Sequence, residues 1–349
     1  MTLGDDFTMV NDSIEISLKG KWIRVPALYV SGKTIVVTGR WIKVAAIHDE
    51  QWLDAEVEDP ETCVEKLKQQ GSPRLQADIF TFTQKLPATL PKYKYHTEWD
   101  SVAAIRVTSF MGWWDKLPQE TRKNVRRSQK RGVLVTVKEF GDDLIRGLME
   151  LNNDSPERQG RPNTHHGKTF DQVKKDYSSF LDRSDLIGAY FGNELIGLVK
   201  IVYRGEVASI LQCLPKTSHH DKRPANALLA KAVKLCEEKG ISYLTYGMFR
   251  YGNKHDSPLL EFKIRNGFEE MLAPRFYVPL TRWGALCIKL KLHRGLLGIL
   301  PHDVIMLGVS ARAKWYNFKY RMSRCSSMSE RPNSNRQMGC SNPPAGSNT

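Results

Sequence analysis

Residues 186–213 read LIGAYFGNELIGLVKIVYRGEVASILQC and predict three antiparallel strands. Runs rich in Val, Ile, Leu and Tyr are separated by Gly192-Asn193 and by Arg204-Gly205, two dipeptides that are typical of tight hairpin turns. The predicted strands cover residues 186–191, 194–203 and 206–213, and each of them pairs with the next.

A long helix follows these strands. It is expected to begin at Pro224, because proline suits the first helical position, and to stop at Gly240. Its apolar residues recur at helical spacing on one face, which comprises Leu228, Leu229, Ala232, Leu235 and Cys236. A short strand over residues 241–247 and a compact segment over residues 258–268 complete the unit, so the last strand must return across the sheet.

This order of elements resembles the acyltransferase fold of the GNAT superfamily, and two motifs narrow the resemblance. Residues 259–268 read LLEFKIRNGF, which is similar to the Phe-Lys segment near the end of the FemAB-like aminoacyl and acyl transferases. Residues 121–133 read TRKNVRRSQKRGV, which is similar to the basic helix that opens the second lobe of those proteins. The resemblance covers residues 100–280 and implies an α/β (α+β) fold of two GNAT-like lobes, with mixed central sheets flanked by helices.

The remaining chain is divided by its composition. Residues 14–47 alternate β-prone runs with turns, and residues 59–71 predict one helix. Two further strands are predicted over residues 77–82 and 101–108. The resemblance implies that this β-rich part is a degenerate copy of the second lobe, although no internal repeat can be aligned. Four segments are expected: a degenerate N-terminal GNAT-like lobe (1–110), a FemAB-like acyltransferase lobe (111–281), a basic helical extension (282–322) and a tail rich in Ser, Asn, Pro and Gly that predicts disorder (323–349).

The formal charge of the 349-residue chain is +14, and it is unevenly distributed. Eleven Lys and Arg residues lie beyond Thr281 together with two acidic residues, which places +9 of the charge there. Such a segment attracts nucleic acid, anionic lipid or a phosphorylated substrate alike. A membrane anchor is one hypothesis, and a last helix packed on the acyltransferase lobe is the other. The anchor hypothesis rests on the apolar residues that lie among the cations, which are Trp283, Leu286, Leu290, Trp315 and Phe318.

The cellular location is predicted from cysteines and from apolar runs. Six cysteines show no paired spacing and no C-x-x-C motif, which favours reduced thiols in a cytoplasm. The start of the chain is acidic and polar, and no apolar run reaches the length of a spanning helix. A cytoplasmic protein is expected, with peripheral association with the inner face of the membrane as an open alternative.

The basic run over residues 121–133 is a candidate contact surface for phosphate. Arg122 and Arg126 lie four residues apart, as do Lys123 and Arg127, and like charges at this helical spacing repel one another. A bound anion would relieve this repulsion, and arginine suits phosphate, so Arg126 and Arg127 are predicted to bind substrate. A solvated helix is the alternative.

The loop over residues 153–168 reads NDSPERQGRPNTHHGK and combines anion-binding with titratable side chains. It predicts a substrate loop that faces the strand at 206–213, although a polar loop of this kind is often only surface. His166 is the candidate general base, with Asp154 and Tyr246 as rivals. The predicted substrate-binding residues are Arg126, Arg127, Asp154, Arg158, Arg161, His165, Tyr246 and Arg250.

Acyl transfer needs a neutral amine, a held donor carbonyl and hydrogen-bond donors for the developing oxyanion. In a GNAT-like sheet two splayed parallel strands hold the donor, and here these would be residues 206–213 and 241–247. The resemblance carries over Phe262-Lys263 residue for residue as catalytic positions. Lys263 would neutralise charge at the leaving group or the oxyanion, and Phe262 would pack or stack. A core phenylalanine beside a surface lysine is the alternative.

The donor is predicted from the turn before the long helix. In the acyl-CoA enzymes of the superfamily that this chain resembles, a glycine-rich turn precedes the long helix, and its amides hold a pyrophosphate. Residues 219–227 read HHDKRPANA, without glycine, and Pro224 has no N–H to offer. Lys222 and Arg223 are therefore the candidate donor-binding residues, and acyl-CoA or aminoacyl-tRNA is expected as the donor substrate, with no tightly bound cofactor. The adjacent histidines in this turn and in the polar loop lack partners at ligand spacing, so no metal is expected.

These observations predict an acyl- or aminoacyl-transferase that moves an acyl group onto an amine. The resemblance implies that the acceptor is a cell-envelope or polysaccharide precursor. The alternative is a non-catalytic GNAT-like protein whose basic helix and tail bind nucleic acid or anionic lipid. The missing glycine turn favours that alternative, whereas Phe262-Lys263 and the loop around Arg158 favour the enzyme. The expected partners are an acyl donor, an amine acceptor, tRNA and an anionic lipid surface.

Overall fold

A mixed sheet of eleven strands runs through the part of the chain that the structure describes. The structure is a computed structural model, and it describes residues 13–18, 21–50, 56–158, 161–250 and 257–294. The strands are β1 (Ile14–Leu18), β2 (Lys21–Val25), β3 (Ala27–Val30), β4 (Lys33–Thr38), β5 (Val44–Ile47), β6 (Ile79–Thr83), β7 (His96–Arg106), β8 (Val133–Lys138), β9 (Glu157–Arg158), β10 (Arg161–Pro162), β11 (Ser184–Phe191), β12 (Glu194–Arg204), β13 (Val207–Pro215), β14 (Tyr243–Met248) and β15 (Glu269–Pro279). The α-helices are α1 (Pro60–Lys68), α2 (Phe110–Lys116), α3 (Gln119–Lys130), α4 (Asp142–Asn153), α5 (Phe170–Tyr177), α6 (Pro224–Glu238), α7 (Pro258–Arg265) and α8 (Arg282–Lys289). The order across the sheet is β3-β4-β5-β6-β15-β7-β14-β13-β12-β11-β8.

The same arrangement of elements occurs twice in this sheet. In the first half, β3, β4 and β5 pair antiparallel, α1 crosses over, and β6 returns parallel to β5. In the second half, β11, β12 and β13 pair antiparallel, α6 crosses over, and β14 returns parallel to β13. The predicted α/β fold with a mixed sheet flanked by helices is confirmed, and so is the predicted order of three strands, a helix and a returning strand.

The two halves exchange their last strands. β7 follows β6 in the chain but pairs with β14, and β15 follows β14 but pairs with β6. β7 and β15 also pair with each other, from His96↔Tyr277 to Ala104↔Glu269, and so join both halves at the centre of the sheet. Each half is therefore completed by a strand that the other half contributes.

The second half carries helices on both faces of its sheet. Neighbouring side chains of a strand point to opposite faces, and two separate cores follow from this alternation. Ile187 and Ala208 share a core with Leu229 of α6, whereas Leu186 shares a core with Tyr177 of α5. Helices α2, α3 and α6 thus cover one face, and α4 and α5 cover the other.

The central strands differ from the sequence-based expectation. The sequence predicts a strand only over residues 101–108, whereas β7 begins at His96. The first residues of β7 read HTEWD and lack apolar alternation, but they pair with β15 over Ala273–Tyr277. β15 itself is not among the predicted strands. Its partners β6 and β7 are remote in the chain, so no local pattern reports the pairing.

The predicted basic extension is described only at its beginning. α8 is followed by a short 3₁₀ helix over Leu292–Arg294. The rest of the extension and the predicted disordered tail lie outside the described residues. Among the helices that are described, none combines the length and the apolar character that crossing a bilayer requires.

Candidate functional site

The parallel strands β13 and β14 separate towards their C-terminal ends. Their pairing ends at Ser209↔Thr245, whereas β13 continues to Pro215 and β14 continues to Met248. A register shift between β12 and β13 at Lys200/Ile201 lies beside this point, and such an irregularity bends a strand. The pair of strands that was expected to splay therefore does so, and within the described part of the chain no strand pairs with the β14 side of β13 beyond Ser209.

A cleft of about 690 Å³ opens where these strands separate. Cys213 and Pro215 of β13 and Tyr246 of β14 form its floor. Three helices form its walls, and their lining residues are Glu120, Thr121 and Asn124 of α3, Pro224, Ala225 and Asn226 of α6, and Pro258, Leu259, Glu261, Phe262 and Arg265 of α7. The cleft is therefore assembled from segments that are widely separated in the chain.

Helix α7 presents Phe262 and Lys263 to different surroundings. Phe262 lines the cleft, whereas Lys263 is fully buried. Lys263 Nζ donates to the backbone oxygen of Met248 at 2.7 Å and lies 4.7 Å from the centre of the Tyr246 ring. Burial lowers the pKa of Lys263 to about 8, because the charged form is disfavoured away from water. The alternative of a surface lysine is wrong, and the ammonium stands beside an aromatic ring of the cleft.

The thiol of Cys213 lies at the floor of the cleft. Burial raises the pKa of Cys213 to about 12, while a hydrogen bond with the Tyr246 side chain acts in the opposite direction. At neutral pH this thiol is protonated, and a thiol is a far weaker nucleophile than a thiolate. The raised pKa therefore disfavours Cys213 as a nucleophile.

The first turn of α6 opens into the cleft. Arg223 precedes the helix in the left-handed conformation (φ 54°, ψ 44°), and no side chain caps the helix start. The amides of the first turn therefore remain suited to an anion. Arg223 lines the cleft, its Nη1 lies 3.5 Å from His220 Nδ1, and its buried Nε has no partner among the described residues. Lys222 lies outside the cleft, with its Nζ 4.6 Å from the centre of the Phe191 ring.

Helix α3 borders the cleft with polar residues and one acidic residue, Glu120, and without its cations. Thr121 and Asn124 line the cleft, whereas the predicted Arg126 and Arg127 do not. The Arg126 guanidinium lies 5.5 Å from the centre of the Trp114 ring. Arg127 Nη1 donates to Asn124 Oδ1 at 3.1 Å, so this arginine orients a residue of the wall.

Sequence reasoning does not single out Asn124, Asn226 and Asn266, although all three line the cleft. Asn226 Nδ2 donates to Asn266 Oδ1 at 2.9 Å, and Asn266 Nδ2 donates to the backbone oxygen of Phe262 at 2.7 Å. These amides tie the first turn of α6 to α7. Helical spacing offers a signal for Asn124, which falls on the same side of α3 as Thr121. Asn266 precedes a glycine and looks only like the end of a helix.

The first residues of the polar loop over residues 153–168 hold a neighbouring part of the backbone in place. Asp154 accepts hydrogen bonds from the Thr217 amide and from Ser218 Oγ, both at 2.6 Å. Burial acts to raise the pKa of Asp154, but these hydrogen bonds outweigh it and the pKa is lowered. Asp154 therefore holds the connection between β13 and α6. Arg158 and Arg161 pair with each other through their backbones in the short ribbon of β9 and β10.

The histidines of this loop lie near α5. His165 Nδ1 lies 3.4 Å from an oxygen of Asp176 in α5, and Lys168 Nζ lies 2.5 Å from the same oxygen. His166 is exposed, and its backbone N–H donates to the Asn163 oxygen at 3.1 Å. Helix α5 covers the face of the sheet opposite α6. His166 as a general base stays a prediction, and neither histidine lines the cleft.

Among the predicted substrate-binding residues, Tyr246 lines the cleft. The centre of its ring lies 5.9 Å from the centre of the Phe268 ring. Arg250 follows β14, is exposed, and places Nη2 3.1 Å from Glu270 Oε2. The structure therefore brings together Arg223, Tyr246 and Phe262 in one cleft, with Lys263 beside them.

A group of metal-ligand side chains occurs among the described residues, but it does not line the cleft. His96, Glu98 and His293 place one ligand atom each within 4.8 Å of one another. His293 Nε2 lies 2.8 Å from Glu98 Oε1, and Arg294 Nε donates to both oxygens of Glu98 at 2.9 and 3.1 Å. Because the arginine occupies both carboxylate oxygens, we interpret this group as an ion-pair cluster that ties residues after α8 to β7.

Several solved structures are similar to this chain, although its sequence alone finds no relative. No protein-family model and no curated protein matches the sequence. L-PGS from Bacillus licheniformis is similar in structure, with a TM-score of 0.50, 15% identity, and coverage of 78% of this chain and 89% of that chain. A conserved protein of unknown function from Bacteroides thetaiotaomicron reaches a TM-score of 0.50 at 11% identity, with coverage of 74% and 86%. FemX is similar over 75% of this chain and 87% of its own, at a TM-score of 0.45 and 11% identity. At identities of 15% and 11% and TM-scores of 0.50, the similarity to L-PGS and to the Bacteroides protein shows a shared fold.

Proposed function

We propose that this protein is an N-acyltransferase that moves an acyl or aminoacyl group from a carrier onto an amine. The observation that carries the proposal is the cleft at the separated strands β13 and β14, with the buried Lys263 beside it. The reaction forms a bond between the amine nitrogen and the donor carbonyl carbon, and it breaks the bond between that carbon and the carrier. The amine loses a proton, and the leaving group of the carrier gains one.

The residues of the cleft supply positioning and charge. The backbone of β13 beyond Ser209 offers hydrogen-bonding groups along which a donor can lie. The Lys263 ammonium stands beside the Tyr246 ring and the end of β14, so its positive charge favours negative charge that develops in the cleft. Phe262 provides an apolar wall. The roles of Lys263 and Phe262 as catalytic residues are part of this proposal.

The acyl donor is proposed to be a molecule whose carrier part bears phosphate. Arg223 and the uncapped first turn of α6 meet at one end of the cleft, and both suit phosphate. Helix α3 borders the same cleft and carries a row of cations on its outer side, which also suits a larger polyanion. Acyl-CoA and aminoacyl-tRNA both meet this description, and they are the two donors to be compared.

The acceptor is proposed to be an amine of a cell-envelope or polysaccharide precursor. This part rests on the resemblance to FemAB-like transferases. A protein that acts on such a precursor works in the cytoplasm and at the inner face of the membrane. Peripheral association with that surface is therefore included in the proposal.

The test compares two buried lysines in a transfer assay. Full-length protein is supplied with acyl-CoA or aminoacyl-tRNA and a panel of amines, and product is measured by mass. Lys263→Met is expected to lower the rate about 10²-fold, the scale of losing one group that stabilises the transition state. Lys200→Met replaces a second fully buried lysine, on the α5 side of the sheet, and should leave the rate unchanged. Equal rates in the two variants, or no transfer from either donor by the wild type, would contradict the proposal.

A second candidate function is a non-catalytic binding protein. The start of α6 favours it, because Pro224 takes the first helical position and offers no amide to a phosphate. In this function the cleft holds an anionic ligand without reaction, while the basic helix binds nucleic acid or lipid. Saturable donor binding that Arg223→Gly weakens about tenfold or more, together with no transfer to any amine, would favour this candidate over the enzyme.

A further inference from the structure

Helix α8 has one face buried in the protein and one face turned to solvent. Gly284, Cys287 and Ile288 are buried, and the last two pack with Ile79 of β6. Leu286 and Leu290 lie on the other face and are 44% and 54% exposed. The buried face of α8 fits the hypothesis of a packed last helix, and its exposed apolar face is the part that the membrane-anchor hypothesis concerns.

A second segment extends the exposed face of α8. Trp41, in the turn between β4 and β5, is 87% exposed, and its backbone oxygen accepts a hydrogen bond from Trp283 Nε1 at 3.2 Å. Trp283 is itself 46% exposed. We call Trp41, Trp283, Leu286 and Leu290 the tryptophan patch. Large apolar side chains that gather at one exposed place mark an interaction surface.

Cations surround the tryptophan patch. A groove of about 590 Å³ beside it is lined by Arg40 and Lys68 together with both tryptophans. Arg282 and Lys289 are exposed on α8. Among the residues that line the groove, Asp78 is acidic. Its carboxylate accepts hydrogen bonds from the Lys43 amide at 2.9 Å and from Thr281 Oγ1 at 3.0 Å. The surface thus combines an exposed apolar centre with a positive rim.

We propose that the tryptophan patch docks onto an anionic phospholipid surface and that the adjacent groove receives a phosphate of a headgroup. Interfacial tryptophan is favoured at the boundary between lipid and water, and each nearby Lys or Arg contributes about 1 kcal/mol near an anionic surface. This surface deepens the peripheral location proposed above, but it does not depend on transferase activity.

The chain that follows supports the choice of an anionic lipid as the occupant. The 55 residues after Arg294 contain seven further Lys and Arg residues and two acidic residues. A basic segment joined directly to a basic docking surface adds to attraction by an anionic membrane and opposes association with a second copy of this chain. Charge complementarity therefore favours lipid over self-association.

The experiment measures sedimentation of full-length protein with vesicles. The vesicles contain equal parts of phosphatidylglycerol and phosphatidylcholine, or phosphatidylcholine alone. Wild-type protein should sediment with the anionic vesicles at low salt and remain in solution with the neutral ones. The triple variant Trp41→Ser, Leu286→Ser, Leu290→Ser should bind at least about tenfold more weakly, because three interfacial apolar side chains are lost. The control is Leu90→Ser with Leu134→Ser, whose leucines are 81% and 66% exposed elsewhere.

Three results would overturn the proposal. The first is full-length protein that ignores anionic vesicles at low salt. The second is a triple variant that binds vesicles as well as the wild type, which would assign binding to the residues after Arg294. The third is a triple variant that changes from dimer to monomer in solution with unchanged vesicle binding, which would assign the patch to a second copy. Transfer to a soluble amine is measured in parallel, and its retention in the triple variant separates docking from catalysis.

Discussion

Lys200 and Lys263 are both fully buried, yet only Lys263 stands beside the cleft. Lys200 Nζ donates to the backbone oxygen of Tyr177 at 2.7 Å and to that of Ser179, at the end of α5. The pKa of each lysine is lowered to about 8, because burial disfavours the charged form. Burial therefore shifts the pKa of both lysines in the same direction, and the two residues differ in position, which makes Lys200 a matched control for Lys263.

Replacement of Lys200 by methionine is expected to change how stability depends on pH. The folded-state pKa of about 8 lies below the ordinary value of 10.5, so the unfolded chain holds an extra proton between these values. The free energy of unfolding of the wild type relative to Lys200→Met should stay constant below about pH 8. It should then rise by roughly 2–3 kcal/mol towards pH ~10, at about 1.4 kcal/mol for each pKa unit.

Denaturant titrations of both proteins across this pH range measure that difference. Leu134→Ser, at a site that is 66% exposed, serves as a control whose difference from the wild type should not vary with pH. A Lys200→Met difference that is flat from about pH 7 to about pH 10 would show that burial does not shift this lysine.

At the scale of elements, α6 places an unusual residue at the mouth of the cleft. Arg223 adopts the left-handed conformation before Pro224, where an arginine is strained and a glycine is not. Its side chain lines the cleft, whereas that of the neighbouring Lys222 packs on Phe191. Two adjacent cations therefore lie in different surroundings, although the sequence presents them as a pair.

Arg223→Gly is expected to weaken donor binding without loss of stability. Glycine relieves the backbone strain, and the substitution removes a guanidinium whose charge-assisted hydrogen bonds suit phosphate. The KM for the donor should rise about tenfold or more, since such a bond is worth about 1.5–3 kcal/mol. Lys222→Ala is the control and should leave the donor KM unchanged. A similar rise in both variants would instead indicate a general effect of positive charge.

Helix α8 depends on a close approach to β6. A Cβ atom at Gly284 would lie 1.9 Å from the backbone oxygen of Asp78, so any larger residue must displace the helix. Gly284→Ala is therefore expected to lower the free energy of unfolding by about 2–3 kcal/mol, the usual scale of overpacking. Thermal unfolding measures the effect, with Ala285→Ser on the exposed side of the helix as control. An unchanged melting temperature for Gly284→Ala would mean that α8 is not held against β6.

At the scale of the whole molecule, the exchange of β7 and β15 makes the two halves depend on each other. Phe276 belongs to the second half by its place in the chain and to the first half by its packing. It is fully buried, and its ring lies 5.1 Å from that of Phe82. Loss of this side chain therefore affects a core that the neighbouring sequence does not build.

Phe276→Ala is expected to lower the free energy of unfolding by about 3–5 kcal/mol and to destabilise both halves together. β15 pairs with β6 and with β7, and β7 pairs with β14, so a disturbance in the first core reaches the second half of the sheet. Hydrogen exchange followed by mass spectrometry compares peptides from β4 and from β13. Faster exchange in β4 with wild-type protection in β13 would contradict this coupling.

Local patterns in the sequence determined most of the second half. The turn dipeptides at 192–193 and 204–205, the apolar face of α6 and the proline at its start predict elements that the structure contains with small changes in their ends. These signals involve residues close together in the chain, because hairpin turns, helical spacing and helix ends are set by local backbone geometry. The fold class followed from their order.

Tertiary structure alone decided the exchange of strands and the composition of the cleft. HTEWD at the start of β7 carries no strand pattern and becomes a strand because β15 lies beside it. The packing of α3, α6 and α7 brings three residues to one cleft, Asn124, Asn226 and Asn266. The histidines of the polar loop lie near α5 instead. Pairing between remote strands and packing between remote helices depend on contacts that leave no periodic trace in the sequence, so the residues that line a site emerge only once the chain has folded.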